Sequence, residues 1–367
     1  MALLAPYVGT GWEEATETAA GFLAGWGRAG EAIDLIRPLA EAGDRKAVNC
    51  LAGLLAGEGR ADDVFALLGP RVGDSYHARA LIRLAEGLGR DEEVLELLPV
   101  VSPDHRAPHH AVELRARILE RQGRVDDALL FLRAQIDGGR AVSVNHVEQA
   151  ADILIRHGRL AGARDLAAGR GGEYAAMRLA VSLAARGETD EALAELSPFI
   201  DGGSLNAAAL AARLLAEDGR ADEALEVLRL ASAAHGNPDG VVEMLADLLA
   251  GQGRTDEALA LADGLAGHPH WTPDMVLMLR VRALAASGQR DQAIAEIRSH
   301  PDVGEWWVAC PLAGLLAENG QPEDAIAVLR QPGCTEGGNR TFLAELLAQE
   351  GRVQEAIAAS HVRSPRA

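Results

Sequence analysis

Residues 206–230, NAAALAARLLAEDGRADEALEVLRL, decide the architecture. Before Gly219 stand Leu210, Ala211, Leu214 and Leu215, apolar positions at i, i+1, i+4 and i+5 that share one face of an α-helix. Gly219 ends that helix, because glycine enters the left-handed conformation of a helix C-terminus without a Cβ clash. Asp222 and Glu223 then fall in the first turn of a second helix, where carboxylates complement the exposed N–H groups and the macrodipole. Ala224, Leu225 and Leu228 give this second helix its buried face. The stretch predicts a helix-turn-helix unit.

The same phrase, roughly Leu-Ala-x-x-Gly-Arg-x-Asp-Glu-Ala-Leu, recurs along the whole chain. Its turn glycines are Gly27, Gly59, Gly89, Gly123, Gly158, Gly187, Gly219, Gly253, Gly288, Gly320 and Gly351, spaced by 29 to 35 residues. A fixed period of this size means stacked units, each burying its apolar face against its neighbours. Seven residues before the glycine stands alanine in nine copies, with Ile82 and Val281 in the other two. Five residues after it stands alanine in nine copies, with Val64 and Val94 as exceptions. Four residues before it stands leucine in all copies but that of Ala85. Small residues facing one another let two antiparallel helices approach closely, and the leucine fills the groove towards the next pair. The predicted fold class is all-α: an α-solenoid, or superhelix, of about eleven antiparallel helix-turn-helix repeats of 29–35 residues.

On this small-small-Gly frame the chain resembles the tetratricopeptide repeat family, whose units are helix pairs with a small residue on each helix and a turn between. The resemblance covers essentially the whole chain. It departs from the family pattern where Leu215 and Leu228 replace large aromatics and where the period drifts. It implies a scaffold that binds proteins or peptides.

The array is expected over residues 11–361, with a tail of an incomplete repeat at 1–10 and a C-terminal tail at 362–367. Ala2–Gly9 matches Ala66–Gly73, the end of a second helix, at six of eight positions. No polar capping helix follows the last repeat, and solenoid ends need such caps. The expectation is a piece of a longer polypeptide, or self-association through the uncapped ends.

A chain of 367 residues exceeds the ~250–300 that one core supports, which a repeat array explains. Hydrophobic residues are 48% of the chain but aromatics only 4%, a composition for closely packed helices. Lys46 is the only lysine among 35 basic residues, which fits a high-GC, bacterial coding bias. The net charge of −19 opposes binding to nucleic acid or to anionic membranes. Cys50, Cys310 and Cys334 make no C-x-x-C pair, no apolar run reaches the ~18 residues of a membrane helix, and no signal-peptide pattern opens the chain. The expected location is cytoplasmic.

Catalytic and cofactor motifs reduce to repeat punctuation. Gly25–Gly30 matches G-x-G-x-x-G formally, yet a helix precedes it where a dinucleotide site needs a strand. Adjacent His109 and His110, near Asp104 and His105, point about 100° apart on a helix and do not share a metal. His268 and His270 lie in a Pro-rich loop, and Cys334 in a Gly-rich loop reads as an exposed thiol. The recurring acid pairs, such as Asp126-Asp127, are accounted for by helix N-terminal charge. No enzyme activity, cofactor or metal is expected.

In stacked helix pairs the first helices line the concave face. Positions thirteen, ten, six and two before each turn glycine should form its exposed strip. The candidate partner-binding residues are Tyr76, Arg79, Arg83, His110, Arg117, Arg121, Arg156, Tyr174, Arg213, Met275, Met278, Arg282 and Trp307. Arg79, Arg83, Arg117 and Arg121 suggest a basic cluster for an acidic peptide or a C-terminal carboxylate. Met275, Met278 and Trp307, with Trp271 and Trp306, suggest an apolar pocket. The plain alternatives are solvated ion pairs within helices, Glu113 with Arg117 and Arg83 with Glu86, and a Trp–Met core. The alternative function is RNA binding, because His235–Asp239 resembles the pentatricopeptide pattern. The far-UV circular dichroism spectrum should be predominantly helical; a strand component would exclude this fold.

Overall fold

The computed structural model describes residues 13–98, 109–138, 143–331, Cys334 and 339–361. Among these residues are 22 α-helices and no strand. They form eleven consecutive pairs, one around each turn glycine. The first five pairs are α1 (Glu13–Gly25) and α2 (Ala29–Glu41), α3 (Arg45–Gly57) and α4 (Ala61–Leu68), α5 (Ser75–Leu88) and α6 (Asp91–Leu97), α7 (His109–Arg121) and α8 (Val125–Gly138), α9 (Val144–Arg156) and α10 (Leu160–Ala167). The next three are α11 (Gly172–Ala184) and α12 (Thr189–Asp201), α13 (Leu205–Glu217) and α14 (Ala221–Ala234), α15 (Asp239–Gly251) and α16 (Thr255–Gly264). The last three are α17 (Pro273–Ala286) and α18 (Arg290–Arg298), α19 (Trp306–Glu318) and α20 (Pro322–Leu329), α21 (Asn339–Gln349) and α22 (Val353–His361). The expected tails, residues 1–10 and 362–367, and the segment with Asp104 and His105 lie outside the described residues. No helix of the described residues is long and apolar enough to cross a membrane. The α-solenoid divides into two compact units, Met1–Leu183 and Ala184–Ala367.

One turn is used throughout. All eleven glycines have positive φ, from 67° to 80°. A Cβ built on any of them would meet nothing within 4 Å, so backbone conformation and not crowding selects glycine. Between α13 and α14 the Gly219 N–H donates to the Ala216 carbonyl at 3.1 Å and the Arg220 N–H to the Leu215 carbonyl at 2.8 Å. These paired bonds close a helix C-terminus. The leucine four residues before the glycine therefore fills the core with its side chain and accepts the closing bond with its carbonyl.

First and second helices begin differently. Asp44, Asp74, Ser204 and Thr272 cap first helices, their side chains accepting from the N–H groups of Ala47, Tyr76, Ala207 and Met275. Second helices begin two residues after the glycine, and the side chains of the intervening Arg60, Arg220 and Arg254 cap nothing there. Carboxylates in the first turn, such as Asp222 and Glu223, stand in for the missing cap.

The paired alanines pack as the sequence pattern implies. Ala212 and Ala224 are 1% and 0% exposed. Ile82, Val281, Val64 and Val94 are equally buried at the exceptional positions. In the last pair Ala344 is only half-buried. Where neighbouring helices share a unit, most first helices pack on their own second helix and on the next first helix, and most second helices pack on the next first helix. Within a unit the first helices that touch thus stand side by side, and their outer strips adjoin. Cys334 departs from expectation: it is buried, and its thiol donates to the Gly304 carbonyl at 3.3 Å.

Gly219→Ala should lower the unfolding free energy by about 1–2 kcal/mol, the cost of a left-handed L-residue. Gly240→Ala, in the open first turn of α15, should be neutral or raise it by up to about 1 kcal/mol through helix propensity. Urea denaturation of both variants checks the opposite signs.

Candidate functional site

Among the described residues none of the expected strip is buried, so the first-helix surface is accessible there. In the first unit α5, α7 and α9 line a hollow of about 830 Å³ that gathers Arg79, Arg117, Arg121 and Arg156. Five carboxylates share it: Glu86, Glu113, Glu120, Glu148 and Asp152. The surface is therefore a mixed-charge groove and not the basic cluster expected.

The ion pairs run between repeats. Arg79 reaches Glu113 at 2.9 Å, and Arg121 reaches Glu86 at 2.8 Å. Arg121 Nε also donates to Asp91 at 2.9 Å, and this guanidinium is only 18% exposed. Arg156 grips both oxygens of Glu120, at 3.0 and 2.8 Å, and His157 stands 3.2 Å from the same carboxylate. Arg178 holds Asp152 bidentately at 2.7 and 2.8 Å, and hydrogen bonding to that carboxylate raises the guanidinium's pKa. The intrahelical pairs expected from sequence, Glu113 with Arg117 and Glu86 with Arg83, do not form. On α5, α7 and α9 the neighbouring first helices lie side by side, so these acids find a cation across the repeat rather than one turn along.

Two guanidiniums of the first-helix strip are left over in the first unit. Arg83 and Arg117 are exposed and have no ion-pair or hydrogen-bond partner among the described residues. Both stand six residues before the turn glycine, Arg117 in the hollow and Arg83 on the preceding first helix outside its lining. In the second unit the same positions on α15 and α17 hold Asp247 and Arg282, paired at 2.6 Å. Asn145, a strip position, and Gln149, which the strip reading passed over, add amide groups to the groove wall, and Gln149 donates to the Glu113 carbonyl at 2.7 Å.

The remaining candidates are placed as follows. Tyr76 is exposed beneath the Arg45 guanidinium, 5.2 Å from its ring centre. His110 donates to the Val72 carbonyl at 3.3 Å, and Tyr174 is half-buried. Arg213 lines a separate hollow of about 450 Å³ in the second unit, with Glu217 3.8 Å away. Met275, Met278, Arg282 and Trp307 meet in another hollow of about 220 Å³, walled by Trp271. The pentatricopeptide-like stretch forms the turn between α14 and α15: Asn237 has a φ of 58°, its side chain accepts from Ser232 at 2.8 Å, and its carbonyl accepts from the Trp271 indole at 3.1 Å. Among the described residues no group of three His, Cys, Asp or Glu side chains is placed to hold a metal.

A second set of inter-repeat pairs runs along the turns, and the acid-pair reading missed it. The arginine after the glycine pairs with the second acid of its own repeat and with the first acid of the preceding repeat. Arg220 pairs with Glu223 at 2.7 Å and with Asp190 at 2.6 Å; Arg254 pairs with Glu257 at 2.7 Å and with Asp222 at 3.1 Å. Arg90, Arg124, Arg159 and Arg352 reach back to Asp62, Glu92, Asp126 and Glu323 in the same way. Gln289, Gln321 and Glu188 occupy the arginine position elsewhere and make no such bridge. The spacing between Gly+1 of one repeat and Gly+3 of the previous one was the available signal.

These pairs set acid sensitivity. Arg352 and Arg330 hydrogen-bond Glu355 and hold its carboxyl at about 2, well below 4.5. A carboxylate depressed in the fold stabilises above its unfolded pKa and loses that contribution as pH falls through the folded value. The stability difference between the wild type and Glu355→Gln should thus be present above about pH 4.5 and vanish towards pH 2 in urea titrations.

Residues 174–198 and 241–263, within α11–α12 and α15–α16, match the tetratricopeptide repeat family model. No curated protein matches the chain. Among solved structures, the APC/C hetero-tetramer Cut9-Hcn1 is 14% identical, with 95% of this chain and 71% of that one covered and a TM-score of 0.31. The Naa15/Naa10 complex bound to HypK-THB is 11% identical, with 97% and 69% covered and a TM-score of 0.35. The chain is an α-solenoid, and two of its repeats are similar to the tetratricopeptide repeat.

Proposed function

We propose that this chain is a non-enzymatic scaffold that docks a protein or peptide on the first-helix groove of its first unit. An acidic segment or a C-terminal carboxylate of the partner lies on Arg83 and Arg117. The observation that carries this reading is the pair of unpartnered arginines at a position where repeats eight and nine place Asp247 against Arg282. Like charges on neighbouring helices repel, and an anion from outside supplies the missing counter-charge. Guanidinium binds carboxylate through two parallel hydrogen bonds, which confers direction as well as strength. The surrounding arginines are already saturated by Glu113, Glu86, Asp91 and Glu120, so they shape the groove and add little free charge. Asn145 offers its amide to the backbone of an extended peptide.

The groove has no assigned catalytic step, cofactor or metal in this reading. The proposed setting is cytoplasmic and bacterial, with the chain acting alone or as the sensor part of a larger regulator. RNA binding is disfavoured by the charge of −19 and by the structural use of Asn237 in the turn.

The test uses partners captured from a native lysate with and without nuclease, followed by titration of the captured segment. Arg83→Glu and Arg117→Glu should each weaken binding about tenfold or more with the helical spectrum unchanged, since hydrogen bonds to charged groups contribute about 1.5–3 kcal/mol. Amidating a partner's terminal carboxylate should have a similar effect if that group is the ligand. Affinity indifferent to both arginines rejects this site, and capture that is lost with nuclease transfers the assignment to RNA.

A further inference from the structure

The second unit carries a hollow of different chemistry. It holds about 220 Å³, below the ~300–1,000 Å³ of small-molecule sites, so it accommodates one side chain rather than a cofactor. Its floor is Trp271, Met275, Met278 and Trp307. Trp271 is buried and tethered through its indole N–H to the Asn237 carbonyl at 3.1 Å. Trp307 is half-buried, and its ring meets His300 edge-on at 5.1 Å. Met275 and Met278 pack on the core below while remaining partly exposed. Two anchored indoles fix the shape, and two thioether chains adapt to what enters.

The rim is acidic. Its one guanidinium, Arg282, is shared between Glu243 and Asp247, both at 2.6 Å. Two carboxylates against one cation leave a negative charge there. Asp274 adds another, with His300 3.2 Å away. An apolar floor beneath an acidic rim complements an apolar side chain with a cationic neighbour.

We propose that this hollow is a docking subsite for a basic peptide segment. An aliphatic or aromatic side chain enters between Trp271, Met278 and Trp307, and an adjacent Lys or Arg lies against Asp274 and Glu243. The subsite stands on residues of the second unit alone and does not rest on the reading of Arg83 and Arg117.

The test titrates the full chain with fluorescein-labelled peptides whose central Leu-Leu is flanked by Arg, by Gln or by Glu, read by polarisation and by tryptophan emission. The Arg-flanked peptide should bind and shift the emission, with the Gln-flanked one about tenfold weaker and the Glu-flanked one weaker still. Trp307→Ala should weaken binding about tenfold or more. Asp274→Asn, an exposed near-isosteric change, should bring the Arg-flanked peptide towards the Gln-flanked one. Equal binding of the three peptides overturns the proposal, as does binding unaffected by Trp307→Ala and Asp274→Asn in folded protein. Self-association abolished by Trp307→Ala would make a second copy the occupant, and emission quenched by oligouridine would make it RNA; either result also overturns the proposal.

Discussion

Each repeat turns on one residue with positive φ. At Gly219 and its ten counterparts the chain leaves the first helix through a left-handed residue, and after Gly219 the Arg220 N–H closes the helix on the Leu215 carbonyl five positions back. That geometry sends the second helix back along the first, and the buried alanines let the two backbones come close. Because every repeat is closed the same way, an apolar face left open by one pair is covered by the next. The core needs few aromatics for this reason: leucine and alanine at fixed phase suffice when the approach distance is set by the alanines.

Stacking also decides where charges go. The chain is strongly acidic, yet more than half of the described arginines are engaged by carboxylates of an adjoining repeat. One set follows the turns, with Arg220 joined to Asp190 and Arg254 to Asp222; the other crosses the first helices, with Arg121 joined to Glu86 and Arg156 to Glu120. The turn pairs are highly exposed, as Asp190 and Asp222 are 88% and 93% exposed, so they favour register between repeats more than they add stability. The functional interest lies in what this pairing leaves over. Arg83 and Arg117 stand at a position that is neutralised elsewhere in the same array. The acidic rim around Trp271 and Trp307 is the opposite case, with more carboxylates than cations. Two surfaces of contrasting charge, each confined to one unit, suit a scaffold whose partners present distinct segments.

Much was legible from the chain alone, because its information is periodic. The spacing of glycines, small residues and leucines identified each helix pair, and the strip positions counted back from each glycine proved accessible. Arg79, Arg117, Arg121 and Arg156 come together in one hollow, and Met275, Met278, Arg282 and Trp307 in another. What misled was the assumption that ion pairs are local. Glu113 with Arg117 has ideal i, i+4 spacing, yet Arg79, thirty-four residues away, takes that carboxylate. Cys334 likewise read as an exposed loop thiol and is buried against Gly304.

The sequence by itself determined the helix pairs, their turns and the faces they bury, since these follow from φ preferences and apolar periodicity that act within a few residues. Only the tertiary structure decided which carboxylate each arginine meets, and therefore which arginines remain free. A pairing between residues about thirty positions apart depends on how side-by-side helices align, and the periodic pattern leaves that alignment open until the repeats pack.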